Sequence, residues 1–195
     1  MSVKEDKILL RRRCAEIRNG IDKEEKAKRD ERICALCASL ATFRFADAVL
    51  LYHPIRSEVD VRPLLRLSLS MGKQVYLPLC DKTQPGKMDF HRITSEEELT
   101  PGSFGVMEPS EAAPLWQNEE GTRAVCIIPA LAYGRDGRRL GYGKGYYDRF
   151  FGQFEGTGIG VTYSELILSD LPYNRFDLKA DLIVSEKGVS VTREA

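Results

Sequence analysis

The sequence carries no surplus of either charge: lysine plus arginine and aspartate plus glutamate stand at 29 each, with two histidines, so the formal net charge is zero. No overall field draws the chain to nucleic acid or to an anionic membrane, and any anion site has to be built locally. Long apolar runs are missing too. Stretches such as Ala48–Tyr52 and Ala124–Pro129 are strand-length, far short of the ~20 residues that span a bilayer. Met1 to Lys7 is polar and lacks the apolar core of a secretion signal. The cysteines do not form an even set. Cys14, Cys34, Cys37, Cys80 and Cys126 make five, which argues against a disulfide framework and for a reducing, cytoplasmic compartment. Cys34 and Cys37 are formally a C-x-x-C pair, but they lie in an alanine- and leucine-rich helical pattern with no second ligand pair. Two small buried residues on a helix face is a simpler reading than a zinc or redox site.

What is present suits one folded unit. The chain has 195 residues, 43% apolar and 30% charged, enough for one core and a polar surface. No repeat, low-complexity tract or linker interrupts it, so residues 1–195 are read as a single domain. Ser2-Val3-Lys4-Glu5 has the form of a capping box. Ile8, Leu9 and Ile17 then offer an apolar face, and Asn19-Gly20 ends the first helix. Asp22 caps a second helix, whose buried stripe is Ile33, Leu36, Cys37 and Leu40.

The rhythm then changes to short apolar strands at 48–52, 74–79, 88–93, 124–129, 158–163 and 182–184. A helix lies over 61–71, a helical turn over 95–99 and a further helix from about Gly145. A loop is expected over 101–109, and the segment 110–122, which includes Trp116, reads as a mobile loop without assignable chemistry. Strands alternating with helices predict an α/β domain with a mostly parallel sheet.

In such sheets ligands gather beyond the carboxyl ends of strands. His53 and Glu58 follow one strand, and Arg139-Leu-Gly-Tyr-Gly-Lys-Gly-Tyr-Tyr-Asp148 follows another. Glycines at 141, 143 and 145 let backbone amides approach an oxyanion. Lys144 and Arg139 bring full positive charge. Asp148 is placed to hold magnesium against phosphate oxygens. The pattern is neither the common P-loop nor a dinucleotide fingerprint, and a plain glycine turn with solvated basic residues is its rival reading.

The longer stretch from Ile128-Pro-Ala-Leu-Ala-Tyr-Gly through Gly-Tyr-Gly-Lys-Gly-Tyr-Tyr-Asp-Arg-Phe150 resembles the signature of the 5-formyltetrahydrofolate cyclo-ligases, or methenyltetrahydrofolate synthetases. Lys7-Ile-Leu-Leu-Arg11, Glu58-Val-Asp60, Val75-Tyr-Leu-Pro78, Phe104-Gly-Val-Met-Glu-Pro109 and Asp177-Leu-Lys-Ala-Asp181 resemble other elements of that family in order. The resemblance implies a three-layer domain of the NagB/RpiA/CoA-transferase-like fold, with a mostly parallel central sheet flanked by helices. It implies closure of 5-formyltetrahydrofolate to the 5,10-methenyl form, with ATP as co-substrate and magnesium as cofactor.

Carried over by position, Lys7 and Arg11 would contact ATP. Arg139, Leu140, Gly141, Tyr142, Gly143, Lys144, Gly145, Tyr146 and Tyr147 would wrap the triphosphate, with Lys144 and Arg139 as the catalytic cations. Asp148 and Asp177 would hold magnesium, and His53 and Glu58 would face the folate. Each has a plainer rival. Lys7 and Arg11 could be a solvated helix face, Glu58 a cap for the helix at Val61, Asp177 a loop residue, and one of Tyr146 and Tyr147 a core aromatic.

Other function classes remain. One is a folate- or nucleotide-binding protein of the same fold without turnover. Another is an RNA-binding module, but Glu16, Asp22, Glu24 and Glu25 interleave with the basic residues of the N-terminal helices. Small-molecule substrates, no nucleic acid, no membrane and a monomeric state are the expectations.

Overall fold

A computed structural model describes residues 3–81, 83–102, 105–174 and 177–192. The Ser2 arm of the expected capping box and Phe104 lie outside the described residues. Two helices open the chain, α1 (Val3–Asn19) and α2 (Lys23–Ser39), followed by the short α3 (Ala41–Arg44). Asp22 caps α2 as expected, accepting from the amides of Glu24 at 2.9 Å and Glu25 at 3.3 Å.

Next come β1 (Ala48–Leu50), α4 (Arg62–Ser70), β2 (Gln74–Cys80) and β3 (Met88–Ile93). The segment read as a loop after Leu99 holds a small hairpin, β4 (Thr100–Pro101) with β5 (Met107–Glu108). The strand expected at 124–129 is β6 (Ala124–Pro129), wholly buried. The glycine-rich segment does not follow it directly. A second hairpin intervenes, β7 (Ala132–Gly134) with β8 (Arg139–Leu140). Then follow α5 (Tyr146–Phe151), β9 (Thr157–Val161), β10 (Ile167–Leu168), β11 (Leu182–Ser185) and β12 (Gly188–Val191).

Among the described residues, seven strands form one sheet in the order β12-β11-β9-β6-β1-β2-β3. The five inner strands run parallel, and antiparallel partners, β12 and β3, flank them. Apolar side chains on both faces are what buried parallel strands require. Val49, Val75, Val125 and Ile159 face one core with the α2 and α4 side chains, while Ala48, Leu50, Cys126 and Ile128 face another with Tyr147 and Phe150 of α5. The expected α/β, mostly parallel, three-layer arrangement is the one found.

The chain leaves β1 toward β2 on one side and reaches β6 on the other, so the strand order reverses between β1 and β6. Loops leaving the carboxyl ends of two such strands part and leave a crevice there.

The N-terminal helix departs from expectation. Ile8 and Leu9 are about half exposed, at 55% and 56%, and Ile17 is exposed as well. The buried stripe of α1 is instead Lys7, Cys14 and Arg18. This face lies over a polar crevice, so the helix turns its cations inward. The 110–122 segment is tied to β3 at two points: the amide of Arg92 donates to Pro114 O at 2.8 Å, and that of Trp116 to Phe90 O at 2.7 Å. Trp116 then packs edge-on against Tyr76, with ring centroids 5.2 Å apart. Cys34 and Cys37 are buried, as read, and burial pushes both thiols up, which leaves them poor metal ligands and nucleophiles.

Candidate active site at the strand switch

A cavity of about 400 Å³ opens at the reversal point. Tyr52, His53 and Glu58 line it from the end of β1, and Arg139 through Asp148 from beyond β6. Lys7 and Arg11 close it from α1, and Asp177 from the segment before β11. Every residue singled out from the sequence as a site candidate lines this one cavity.

The glycine segment is shaped by its own side chains. Arg139 is buried, donates from Nε to Pro129 O at 2.6 Å, and lies over the Tyr147 ring at 4.7 Å. A Cβ on Gly141 would come within 2.5 Å of the Arg139 guanidinium. Gly143 and Gly145 have φ of 92° and 73°, a left-handed backbone that glycine adopts without penalty. Arg11 Nε donates to Gly141 O at 2.8 Å, pinning the loop to α1. Arg149 bonds both Lys144 O and Gly86 O, at 3.0 and 2.9 Å, which braces the backbone of Lys144 while its side chain stays exposed. Leu140 and Tyr147 point into the core, so Tyr147 is the core aromatic of its pair and Tyr146 stays at the cavity.

Lys7 and Asp177, 170 residues apart, pair at 2.5 Å with side chains 8% and 16% exposed. Lys7 is therefore not on a solvated helix face. Arg11 stands among Asp177, Asp148 and Arg139; burial pushes its guanidinium down against the pull of the two carboxylates, and it stays charged at any physiological pH.

Magnesium binds through one or two carboxylates plus substrate phosphates and water, and the residues here fit that habit. Asp148 accepts from Leu178 N at 3.1 Å, so its carboxylate stands against the strand of chain that carries Asp177. These bonds use Oδ1 of Asp148 and Oδ2 of Asp177; a carboxylate offers about four acceptor positions, which leaves room for a cation. No group of three or more His, Cys, Asp or Glu side chains able to cage a metal occurs among the described residues, so phosphate oxygens would have to complete the shell.

The opposite end is a buried carboxylate. Glu58 is 5% exposed and accepts from Ile55 N at 3.0 Å. It does not cap α4: Asp60 Oδ1 takes the amide of Arg62 there, at 3.1 Å. Burial pushes the Glu58 carboxyl up, opposed by the Ile55 amide, Arg18, Tyr142 and Arg139. His53 is half-buried, and burial first, then Arg62, pushes its imidazole down, which keeps it neutral near pH 7. Arg56, on the same loop, has φ 54°; such strain in a non-glycine residue collects at ligand sites.

Sequence reasoning missed several lining or supporting residues. Arg18 holds three partners in this region. Its signal was available: positions 7, 11, 14 and 18 follow helical spacing, so three cations share one stripe. Glu108, buried at 3%, and Cys80, whose thiol burial pushes up, line the cavity from β5 and β2. Glu108 lay inside a quoted motif without a role, and Cys80 carried no signal.

Known proteins match nearly the whole chain. The profile of the 5-formyltetrahydrofolate cyclo-ligase family matches residues 3–186. A protein of Caenorhabditis elegans named as a probable 5-formyltetrahydrofolate cyclo-ligase is 27% identical over 95% of this chain and 95% of its own length. The 5-formyltetrahydrofolate cyclo-ligase of Saccharomyces cerevisiae is 27% identical over 93% of this chain and 96% of its own. Among solved structures, the 5,10-methenyltetrahydrofolate synthetase of Aquifex aeolicus superposes with a TM-score of 0.83 at 34% identity, covering 97% of this chain and 94% of that one. The Mycoplasma pneumoniae 5,10-methenyltetrahydrofolate synthetase shares the fold, with a TM-score of 0.72 at 24% identity over 93% of this chain and 99% of that one. With the family profile spanning nearly its full length, and a solved relative at one-third identity on the same fold, the chain belongs to the 5-formyltetrahydrofolate cyclo-ligase family.

Proposed function

We propose that this chain, acting as a single-domain monomer, closes 5-formyltetrahydrofolate to 5,10-methenyltetrahydrofolate at the expense of magnesium-ATP, releasing ADP and phosphate. One observation carries the reading. A buried carboxylate suited to N–H donors and a cation-flanked glycine loop suited to phosphates share a single cavity of about 400 Å³.

The chemistry needs both ends. A formamide carbonyl is a poor electrophile and its oxygen a poor leaving group. Transfer of the γ-phosphoryl group to the formyl oxygen gives an iminium phosphate and ADP. The folate N10 then attacks the activated carbon, N10 loses its proton to solvent, and phosphate departs. In-line placement and charge neutralisation make up most of such catalysis.

Glu58 would accept from the pterin amino and ring N–H groups, with neutral His53 beside it. Lys144, Arg11 and Lys7 would neutralise phosphate oxygens, and Arg139 would add its charge from beneath Gly141. Lys7 is held by Asp177 before any phosphate arrives. Asp148 and Asp177 would hold magnesium, which when bound lowers the charge on the triphosphate and orients it. No described helix is long and apolar enough to cross a membrane. Five unpaired cysteines suit a reducing, cytoplasmic compartment.

The test is direct. Purified protein is mixed with 5-formyltetrahydrofolate and magnesium-ATP, and the methenyl chromophore is followed. Chromophore is expected with magnesium and none after chelation. Lys144→Ala is expected to lower kcat by about 10²-fold or more with an unchanged melting temperature. ATP binding without any chromophore would leave a binding protein, and full activity in Lys144→Ala would move the phosphate site elsewhere.

A further inference from the structure

We propose that Arg18 and Tyr142 form a positioning relay for Glu58, so that Tyr142, although its backbone lies in the phosphate loop, serves the folate half of the cavity. The proposal rests on the folate reading above.

Tyr142 stands between Gly141 and Gly143, where a triphosphate contact would be its natural assignment. Its ring turns the other way. Arg18 Nη2 donates to the Tyr142 hydroxyl at 2.6 Å, Nη1 to Ala130 O at 3.0 Å, and Nε to Ser57 Oγ at 3.1 Å. Ser57 in turn donates to Asn19 Oδ1 at 2.5 Å. Arg18 is only 3% exposed, so it is a fixed strut among four chain segments.

Proton counting sets the direction. A guanidinium has no acceptor, so the bond from Arg18 occupies a lone pair of the Tyr142 oxygen. The single hydroxyl proton is left for the Glu58 carboxylate, which lines the same cavity and whose ionised form Tyr142 favours. Ile55 N fills one acceptor position on Oε2, the relay fills a second from behind, and those that remain are for a ligand. The groups acting on Glu58 come from every side: Arg18 on α1, Tyr52 after β1, Arg139 on β8, Tyr142 in the loop and Tyr147 on α5. Only Tyr142 lies in the loop between the two half-sites.

Tyr142→Phe removes one oxygen and tests the relay. Titration with 5-formyltetrahydrofolate alone and with magnesium-ADP alone separates the halves. Folate Kd and KM are expected to rise about tenfold, which is ~1.4 kcal/mol, with magnesium-ADP binding unchanged. Arg18→Met should produce the same loss, and the double variant no more than the larger single one. Because the lost hydroxyl stabilised the ionised carboxylate, the acid limb of kcat/KM for folate moves to higher pH, a shift that loss of packing would not produce. Weaker magnesium-ADP binding with folate unchanged, additive losses or an unmoved acid limb would overturn the relay. If wild-type protein fails to bind 5-formyltetrahydrofolate, the folate reading falls. The relay is then judged from the carboxyl titration of Glu58 by NMR, whose midpoint Tyr142→Phe must raise; an unchanged midpoint rejects it.

Discussion

Replacing Gly141 with alanine isolates one contact on which the glycine loop depends. The backbone there is not left-handed, so alanine is not strained by φ; the difficulty is the neighbour. The new methyl would stand 2.5 Å from Arg139 Nη1, 2.8 Å from Cζ and 2.9 Å from Nη2. Arg139 has little freedom to withdraw, being buried, bonded to Pro129 O at 2.6 Å and stacked over Tyr147. Displacing it loses a charge-assisted bond worth ~1.5–3 kcal/mol and adds overpacking of ~1–3 kcal/mol. The alanine returns ~0.4–1 kcal/mol by restricting the unfolded chain. The net loss is about 3 kcal/mol, and at ~2–4 °C per kcal/mol for a chain of this size the melting temperature falls by roughly 6–12 °C. Thermal and urea melts of four proteins read it: wild type, Gly141→Ala, Arg139→Met and the double variant. With the guanidinium gone the clash is gone, so the alanine should cost under ~0.5 kcal/mol in the Arg139→Met background. An alanine that is harmless in wild type, or equally costly in both backgrounds, would refute the view that Arg139 dictates the glycine.

Two further outcomes are expected. Lys7→Met strands a largely buried Asp177 and should lower stability by ~3 kcal/mol or more; adding Asp177→Asn should restore much of the melting temperature but none of the turnover. Glu58→Gln should weaken folate use more than ATP binding and change the pH dependence of stability. Because burial raises the Glu58 carboxyl, the unfolded chain ionises first, and wild-type stability falls as pH rises through that interval before levelling off. The variant should therefore gain on wild type in denaturant melts as pH rises from ~4; a constant difference would mean that Glu58 ionises normally.

The strands were legible because buried parallel strands have a composition of their own. β6 is apolar at every position and buried at every position, and the expected limits of β1, β9 and α4 lie within two residues of those found. The short β7–β8 hairpin was not legible, since two- and three-residue strands leave too little periodicity. The α1 face was misread for a physical reason. Helical periodicity assumes that the inward side is the apolar side, but here the inward side borders a charged cavity, so Ile8 and Leu9 face out while Lys7 and Arg18 face in. The glycine loop lines the cavity although a hairpin separates it from β6, and direction along it was invisible. Nothing in Gly-Tyr-Gly-Lys-Gly distinguishes the Tyr142 ring, which turns to Arg18, from the Lys144 side chain, which stays exposed. Glu58 as helix cap and Glu58 as cavity carboxylate were equally consistent with sequence; in the fold Glu58 accepts from Ile55 N, while Asp60 takes the first amide of α4.

The pairing of Lys7 with Asp177 also sets a timetable. During synthesis the chain emerges N-terminus first, and long-range contacts form only when their distant partner exists. The inner strands β1, β2, β6 and β9 can all be laid side by side once residue 161 has appeared. Helix α1, whose inward face is cationic, has its glycine loop to lean on only after residue 141 and its counter-charge only after residue 177. Those four strands can thus pair before the charged end of the cavity is complete, and a nascent chain gathers Lys7, Arg11 and Asp177 there only after residue 177 has appeared.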